Sequence, residues 1–225
     1  FNKKKLGTFG KISNFSFYFA HHMSTIEGGM ICTDDEKLYQ HFRMLRSHGM
    51  VREATDKNLK EHYIRKNPEL NPDFIFAFPA YNTRNNEIGA VIGRNQLKRL
   101  DNNIQKRNKN FKLFLENLDP KKFYREFALE GSSNYAFNLI LKKSDPEFFE
   151  RIMTVLRKNG VEFRRGSSGG GNQLRQPYLR GIVPKDEHKN YPNVEHIHFF
   201  SLYLGNYPDL SQKKILTLCR LLNGA

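Results

Sequence analysis

Four short stretches of the sequence bring together side chains that can move protons or bind anions. His21 follows an aromatic, β-prone run, and an imidazole can accept or donate a proton near neutral pH. Ser16 lies within that run, where a hydroxyl at the strand end can donate a hydrogen bond to an anion. Capping the strand end is the structural alternative for this serine. The remaining stretches contain the candidates His48, Asn82, Arg84 and Arg175.

Three of these candidates also have purely structural interpretations. His48 could be only a helix-terminal residue, since a glycine follows it. Asn82 could be a turn residue, and Arg84 could form an ion pair with Glu87. The sequence therefore leaves both interpretations open for each of them.

Residues 169–178 form a glycine-rich segment that contains Arg175. Backbone N–H groups and a guanidinium suit the pyrophosphate of a sugar nucleotide. The segment lacks the Gly-Lys-Ser/Thr sequence of a P-loop, and a surface loop without function is the alternative. A metal site at His21 is not expected, because the histidine and cysteine spacings match no zinc pattern.

Composition excludes several classes of protein. The 225 residues carry a net charge of +14, but the basic residues are spread thinly, which favours a solvated face over a polynucleotide-binding arm. Phosphate-bearing ligands come second. Two cysteines cannot build a disulfide framework or an iron–sulfur cluster, and a reducing cytoplasm fits this count. No signal peptide is visible, and no apolar run approaches the about 18 residues of a membrane span.

The elements around the first candidates are predicted as strand, loop, strand and helix. Residues 14–19 read as a strand, residues 30–33 as its return, and Asp34-Asp35 as the cap of a helix to about residue 47. Residues 50–80 are polar and rich in proline, which predicts a long functional loop rather than a packed element.

The second half of the sequence predicts a long helix and then an α+β subdomain. Apolar residues recur at helical spacing from Ile88 to Leu118. Strands are predicted at 135–141 and 161–165, with a helix between them that is capped by Ser144 and carries a proline in its first turn. Ser211 should begin a final helix.

In their order and spacing, the four stretches resemble the sugar aminotransferase family of fold-type-I pyridoxal phosphate enzymes, of the DegT/DnrJ type. Members make amino and deoxy sugars for bacterial surface polysaccharides. In the family, a Ser-Phe pair precedes a lysine, and Glu-Gly-Gly follows that lysine. Ser16 lies five residues before His21 and Glu27 lies six after it, so His21 occupies the lysine position. The resemblance implies an α/β fold of the fold-type-I aminotransferase kind.

Replacing this lysine with histidine changes the implied chemistry. The lysine amine binds the cofactor covalently, whereas an imidazole cannot but can still move a proton. We therefore expect pyridoxamine 5'-phosphate, rather than lysine-bound pyridoxal 5'-phosphate, and elimination rather than transamination. The pattern is most similar to the branch of 3-dehydratases that act on GDP-4-keto-6-deoxymannose. The expected reaction is dehydration at C3 of a nucleotide-linked 4-keto-6-deoxy sugar, with His21 as acid and base.

The resemblance also assigns roles to the other candidates. Ser16 and Asn82 are expected to bind the cofactor, Asn82 by reaching across the interface of a homodimer. His48, Arg84 and Arg175 are expected to bind substrate. Glutamate is the implied amine donor, the implied setting is the synthesis of lipopolysaccharide O-antigen in the cytoplasm, and neither nucleic acid nor membrane is an expected partner.

The same resemblance divides the chain into three parts. Residues 1–85 would be the C-terminal part of the large cofactor domain, 86–120 a connecting long helix, and 121–225 the small α+β domain. The family's cofactor domain begins well before residue 1, so the aspartate on the pyridine nitrogen, the stacking aromatic residue and the phosphate-binding helix lack counterparts here. We therefore expect a fragment that binds cofactor weakly or not at all by itself.

Three other functions remain open: a nucleotide-sugar aminotransferase that tolerates His21, an inactive module for dimerisation, and a basic nucleic-acid binder. The last has no recognised module. A related dehydratase branch that uses an iron–sulfur cluster and CDP-sugars is disfavoured, because two cysteines are too few.

Overall fold

The computed structural model of the protein describes residues 2–166 and 170–225. The chain forms two compact units, one ending at Leu100 and one starting at Asp101. The first residue of the predicted glycine-rich segment, Gly169, lies outside the described residues. No helix in the described ranges is both long and apolar enough to cross a membrane.

The N-terminal unit begins with an antiparallel hairpin whose long connection carries His21. Strands β1 (Ser13–Ser16) and β2 (Gly29–Cys32) pair so that Ser16 lies opposite Gly29. The predicted strand at 14–19 ends early, since the carbonyl of Phe17 accepts a hydrogen bond from the Thr25 N–H at 2.8 Å instead of continuing the ladder.

Helix α1 (Glu36–Leu45) follows and ends at the second candidate stretch. The Asp35 side chain caps its N-terminus by accepting from the Leu38 N–H at 3.1 Å. At its C-terminus the Gly49 N–H donates to the Met44 carbonyl at 2.9 Å, and Gly49 has a φ of +75°. A β-carbon at position 49 would collide with the carbonyl oxygen of Phe78, so this turn requires glycine.

The prediction that residues 50–80 hold no packed element is wrong. Helix α2 (Lys57–Lys66) begins at the cap Asp56, and 3-10 turns occupy Val51–Glu53 and Pro72–Phe74. The segment packs on a small core whose buried members are Met44, Val51, Ala54 and Ile75. The polar composition concealed α2 because only Leu59 and Tyr63, four residues apart, pack against that core.

Helix α3 (Glu87–Asn117) contains the boundary between the units. Beyond it, a three-stranded antiparallel sheet is ordered β3 (Ala136–Ile140), β5 (Ser201–Gly205), β4 (Phe163–Arg165). Helices α4 (Pro146–Lys158), α5 (Pro192–Phe200) and α6 (Gln212–Asn223) complete this unit. Asp145, rather than the predicted Ser144, caps α4, and Ser211 caps α6 as predicted.

The core of the C-terminal unit is large and aromatic. Phe114 and Phe137 stack with ring centroids 4.4 Å apart, and both are fully buried. Further fully buried side chains come from the sheet and from α4 and α6: Leu139, Ile152, Leu156, Ile215 and Leu222. This α+β architecture provides a rigid base for the irregular segment that carries Arg175.

Candidate active site

The connection between β1 and β2, residues 17–28, is named the histidine loop. Its ends are tied together, since the Phe17 N–H donates to the Gly28 carbonyl at 2.9 Å. His21 is half-buried, and its backbone N–H donates to the Tyr18 carbonyl at 3.0 Å. The Tyr18 ring lies edge-on to the imidazole, with centroids 6.1 Å apart. The backbone and a neighbouring ring therefore hold the candidate acid/base.

Ser16 also contacts Tyr18, the residue that holds His21. The Tyr18 N–H donates to the Ser16 Oγ at 3.4 Å, which uses the oxygen as an acceptor and leaves the hydroxyl proton for another acceptor. Ser16 is exposed. The serine can therefore donate to an anion while the backbone fixes its oxygen.

Steric crowding explains why a glycine, Gly28, stands at the end of the histidine loop. Gly28 has a φ of +149°, and a β-carbon there would lie 2.6 Å from the Thr25 hydroxyl oxygen. That hydroxyl donates to the Glu27 carbonyl at 2.7 Å, and Thr25 is buried. The Glu-Gly-Gly stretch thus packs against the buried Thr25 and closes the histidine loop. This closure positions His21 within the loop and Ser16 directly before it.

A second set of predicted residues lies together in one cavity of about 510 Å³, named the arginine pocket. His48, Asn82 and Arg84 all line it. The remaining lining residues are Met50, Arg52, Phe74 and Phe76. Arg52 and Arg84 share the Glu53 carboxylate, at 3.8 and 3.7 Å, so the two guanidinium groups bring one net positive charge beside the imidazole and the aromatic side chains. This lining suits a polar ligand that carries an anionic group.

The backbone brings these three residues together. Ser47 forms an isolated antiparallel bridge with Asn82, and the His48 N–H donates to the Tyr81 carbonyl at 2.6 Å. His48 has a φ of +59°, which is uncommon for a residue with a side chain. Left-handed residues occur both in the turns that follow helix ends and at functional sites, so this conformation fits both interpretations of His48.

Arg84 is held by two neighbours. Its Nε donates to the buried Ser47 Oγ at 3.0 Å, its Nη2 contacts the same oxygen, and Nη2 lies 3.7 Å from the Glu53 carboxylate. The ion pair with Glu87 that the sequence suggested is not the one formed; the carboxylate partner is Glu53. About half of the Arg84 side chain stays exposed, so its charge is accessible from the pocket.

Arg175 belongs to the C-terminal unit and is fixed by α5. Its Nε donates to both carboxylate oxygens of Glu195, at 2.8 and 3.1 Å, and its Nη2 contacts the same group. Its guanidinium carbon also lies 5.0 Å from the Phe199 ring centroid. The Arg175 hydrogen bond lowers the pKa of Glu195 to about 2. The arginine is therefore positioned, and part of its charge is neutralised.

Helix α5 also holds the backbone of this segment. The Asn172 N–H donates to the His198 Nδ1 at 3.0 Å, and the Asn172 Nδ2 donates to Glu195 at 2.8 Å. Burial, and then the charge of Arg175, lower the pKa of His198 and favour its neutral form. The sequence predictions missed Glu195 and His198, because 20 or more residues separate them from their partners and no local spacing links them.

Residues 1–223 match the sequence profile of the DegT/DnrJ/EryC1/StrS aminotransferase family. The chain belongs to this family. The match confirms the family that the four sequence stretches indicated.

Two similar proteins within this family are 3-dehydratases of a nucleotide-linked sugar. This chain is 32% identical over 208 residues to the GDP-4-keto-6-deoxy-D-mannose 3-dehydratase of Escherichia coli O55:H7, covering 92% of this chain and 53% of that protein. The Yersinia pseudotuberculosis enzyme of the same name is 32% identical over 217 residues, covering 94% and 54%. The chain spans about half the length of these curated relatives.

A solved structure agrees with this likeness. A GDP-4-keto-6-deoxymannose-3-dehydratase crystallised with a trapped PLP-glutamate geminal diamine superimposes with a TM-score of 0.80 at 30% identity. The superposition covers 99% of this chain and 57% of that one. This match confirms the expected fold, that of the pyridoxal phosphate-dependent sugar aminotransferases.

Proposed function

We propose that the chain carries the acid/base residue and substrate-binding residues of a pyridoxamine phosphate-dependent 3-dehydratase. The substrate would be a nucleotide-linked 4-keto-6-deoxy sugar, and the product would serve deoxysugar synthesis for lipopolysaccharide O-antigen in the cytoplasm. The observation that carries the proposal is His21 in the histidine loop, five residues after Ser16 and six before Glu27, where the family has lysine.

The described residues fit the cofactor in its amine form. Ser16 keeps a hydroxyl donor for a phosphate oxygen, and Asn82 presents an exposed amide with two further N–H donors. We infer that Asn82 donates a hydrogen bond to the phosphate of the cofactor that the partner subunit of a homodimer binds. His21 has no primary amine for a covalent bond, so a cofactor bound here without covalent attachment suits this residue set.

His21 would perform the proton steps of the dehydration. When bound, pyridoxamine phosphate would supply the amine that engages the sugar ketone and the electron pair that expels the C3 hydroxyl, and the cofactor would be left at the aldehyde oxidation level. The neutral imidazole of His21 can accept a proton from the methylene carbon of the cofactor. The resulting imidazolium can donate that proton to the departing C3 hydroxyl oxygen. The hydroxyl leaves as water, and the imidazole returns to its neutral form.

The other predicted residues would bind and orient the substrate. His48 and Arg84 in the arginine pocket provide an imidazole and a guanidinium for the sugar, and Arg175 provides a positioned cation for the diphosphate. Glutamate would regenerate the amine form of the cofactor; the related enzyme crystallised with a PLP-glutamate geminal diamine supports this choice of donor.

The first test measures the product. We incubate this chain with pyridoxamine phosphate, glutamate and GDP-4-keto-6-deoxymannose, and analyse the sugar by mass spectrometry. A 3-deoxy keto sugar from the wild type, with none from His21→Asn, would support the proposal. An amino sugar as the main product would favour the aminotransferase alternative. No product from the wild type would show that this chain alone is not the enzyme.

A second test uses the lysine position directly. His21→Lys restores the primary amine of the family, so pyridoxal phosphate should become attached and remain on the protein after borohydride reduction. The matched control is His22→Lys, which places the same amine one residue away. Labelling of His22→Lys equal to or stronger than that of His21→Lys would contradict the assignment of His21 to the cofactor site.

A further inference from the structure

A second cavity, in the C-terminal unit, is lined by basic and apolar side chains. This open cavity has a volume of about 540 Å³, within the range of small-molecule sites. We name it the basic pocket after Arg175, Arg180, Lys185 and His188, which line it. The apolar part of its lining is Leu174, Leu179, Val183 and Pro184. None of its lining residues is acidic.

A compact turn contributes several of the residues that line the basic pocket. The Leu179 carbonyl accepts from the N–H groups of Ile182 and Val183, at 3.0 and 3.2 Å. Gly181 makes the reversal possible with a φ of +81°. Arg180 and Val183 then form an isolated bridge. The cations of the pocket thus lie on a folded segment that internal hydrogen bonds define.

The charges in the basic pocket are unevenly neutralised. Arg175 is paired with Glu195, whereas in the described part of the chain neither Arg180 nor Lys185 takes part in an ion pair. The nearby Asp186 is paired with Lys189 at 2.9 Å. Arg180 and Lys185 are exposed, so two cations are available to a ligand beside an apolar wall.

We propose that the basic pocket binds the diphosphate and nucleoside of the nucleotide-linked substrate, with Arg180 and Lys185 as phosphate ligands. This inference rests on the proposed function. Two unpaired cations match the two charged phosphates of a nucleoside diphosphate, and the leucine, valine and proline side chains give its nucleoside an apolar contact surface. A single carboxylate ligand would leave one cation and most of the volume unused.

The test measures equilibrium binding of GDP, GMP and guanosine to this chain by isothermal titration calorimetry. Affinity should fall in that order, because each step removes a phosphate. Arg180→Ala and Lys185→Ala should each weaken GDP binding about tenfold, since each removes one charged contact. Neither should weaken guanosine binding comparably.

Matched controls come from another basic cluster of the same unit. Lys121 and Lys143 line a separate cavity of about 260 Å³, and both are exposed, as Arg180 and Lys185 are. Lys121→Ala and Lys143→Ala should leave GDP affinity unchanged. Equal weakening by the controls, or equal affinity for GDP and guanosine, would overturn the proposal and indicate binding to general positive charge.

The outcome can be separated from that of the proposed function. If GDP binding depends on Arg180 and Lys185 but no sugar is dehydrated, the basic pocket stands and the proposed reaction fails. If the wild type dehydrates the sugar but both alanine variants bind GDP normally, the reaction stands and this inference is wrong. Preference for single-stranded DNA over GDP would refute it in favour of a polynucleotide ligand.

Discussion

The contact between Arg175 and Glu195 gives the sharpest quantitative prediction. Glu195 accepts hydrogen bonds from the Nε of Arg175 at 2.8 and 3.1 Å and from the Nδ2 of Asn172 at 2.8 Å. The perturbation is Glu195→Gln, which removes the negative charge and keeps an amide oxygen as acceptor. The variant therefore separates the contribution of charge from that of side-chain shape.

The magnitude follows from the pKa of Glu195, which falls from its ordinary value of 4.5 to about 2. Full conversion would give about 3 kcal/mol, at about 1.4 kcal/mol for each tenfold change in proton affinity. The arginine side chain is about one third exposed, 33%, so solvent screening reduces the expected contribution to about 1–2 kcal/mol. Glu195→Gln should lower the free energy of unfolding by that amount at pH 7.

The sign of the pH dependence is fixed by the direction of the pKa change. A carboxyl group with a lowered folded-state pKa stabilises the fold above its unfolded pKa, and this stabilisation is lost as pH falls through the folded value. The wild type should therefore lose its advantage over Glu195→Gln between pH 4.5 and about pH 2. Urea unfolding followed by circular dichroism at pH 7, 4 and 3 measures this difference.

The control is Glu150→Gln, which removes one charge from the exposed ion pair with Arg157. That pair is 3.0 Å long with both side chains more than half exposed, so its loss should cost about 0.5 kcal/mol or less. If Glu195→Gln costs no more than this control, or if its cost is the same at pH 7 and pH 3, the reasoning from the bidentate contact is refuted.

Three further predictions concern the glycine turn, the buried polar network and the histidine that holds Asn172. Thermal unfolding should show that Gly49→Ala costs about 2 kcal/mol or more, because its β-carbon would meet a backbone carbonyl; Gly160→Ala has a similar φ of +63° in open space and should cost only about 1 kcal/mol. Asn206→Ala should cost about 2–3 kcal/mol in urea unfolding, since the buried side chain donates to two carbonyls, at 3.0 and 2.8 Å; a cost below 1 kcal/mol would contradict this. The lowered pKa of His198 means that the unfolded chain binds the proton more readily, so stability should fall as pH drops below 6.5, and His198→Gln should flatten that part of the profile.

Local signals in the sequence were sufficient for the elements that depend on near neighbours. The cap at Asp35, the cap at Ser211 and the end of α3 before Pro120 each involve residues within one helical turn. Strand β5 was missed although it is the central strand, because it follows α5 directly at Ser201 without a glycine or proline between them. Its position in the sheet depends on pairing with β3 and β4, which sequence spacing does not encode.

The candidate site divides in the same way. The histidine loop is local, so the distances along the chain from Ser16 to His21 and from His21 to Glu27, set beside the family's pattern, were enough to predict it as a candidate. The arginine pocket is less local, yet each of its predicted residues stands in a short motif of its own. The bridge between Ser47 and Asn82 brings these motifs together, and no sequence spacing predicts it.

The net charge of +14 shows why residue type alone could not rank the cations. Arg175 and Arg84 stood out by their motifs, yet both are held near carboxylates, at Glu195 and Glu53. Arg180 and Lys185 had no motif and remain outside ion pairs in the described part of the chain. Whether a cation is available for a phosphate depends on which carboxylates pack against it, and here a helix distant in sequence makes that difference. A cation already held by a carboxylate, as Arg175 is by Glu195, has less free charge to offer a phosphate than a cation outside any ion pair.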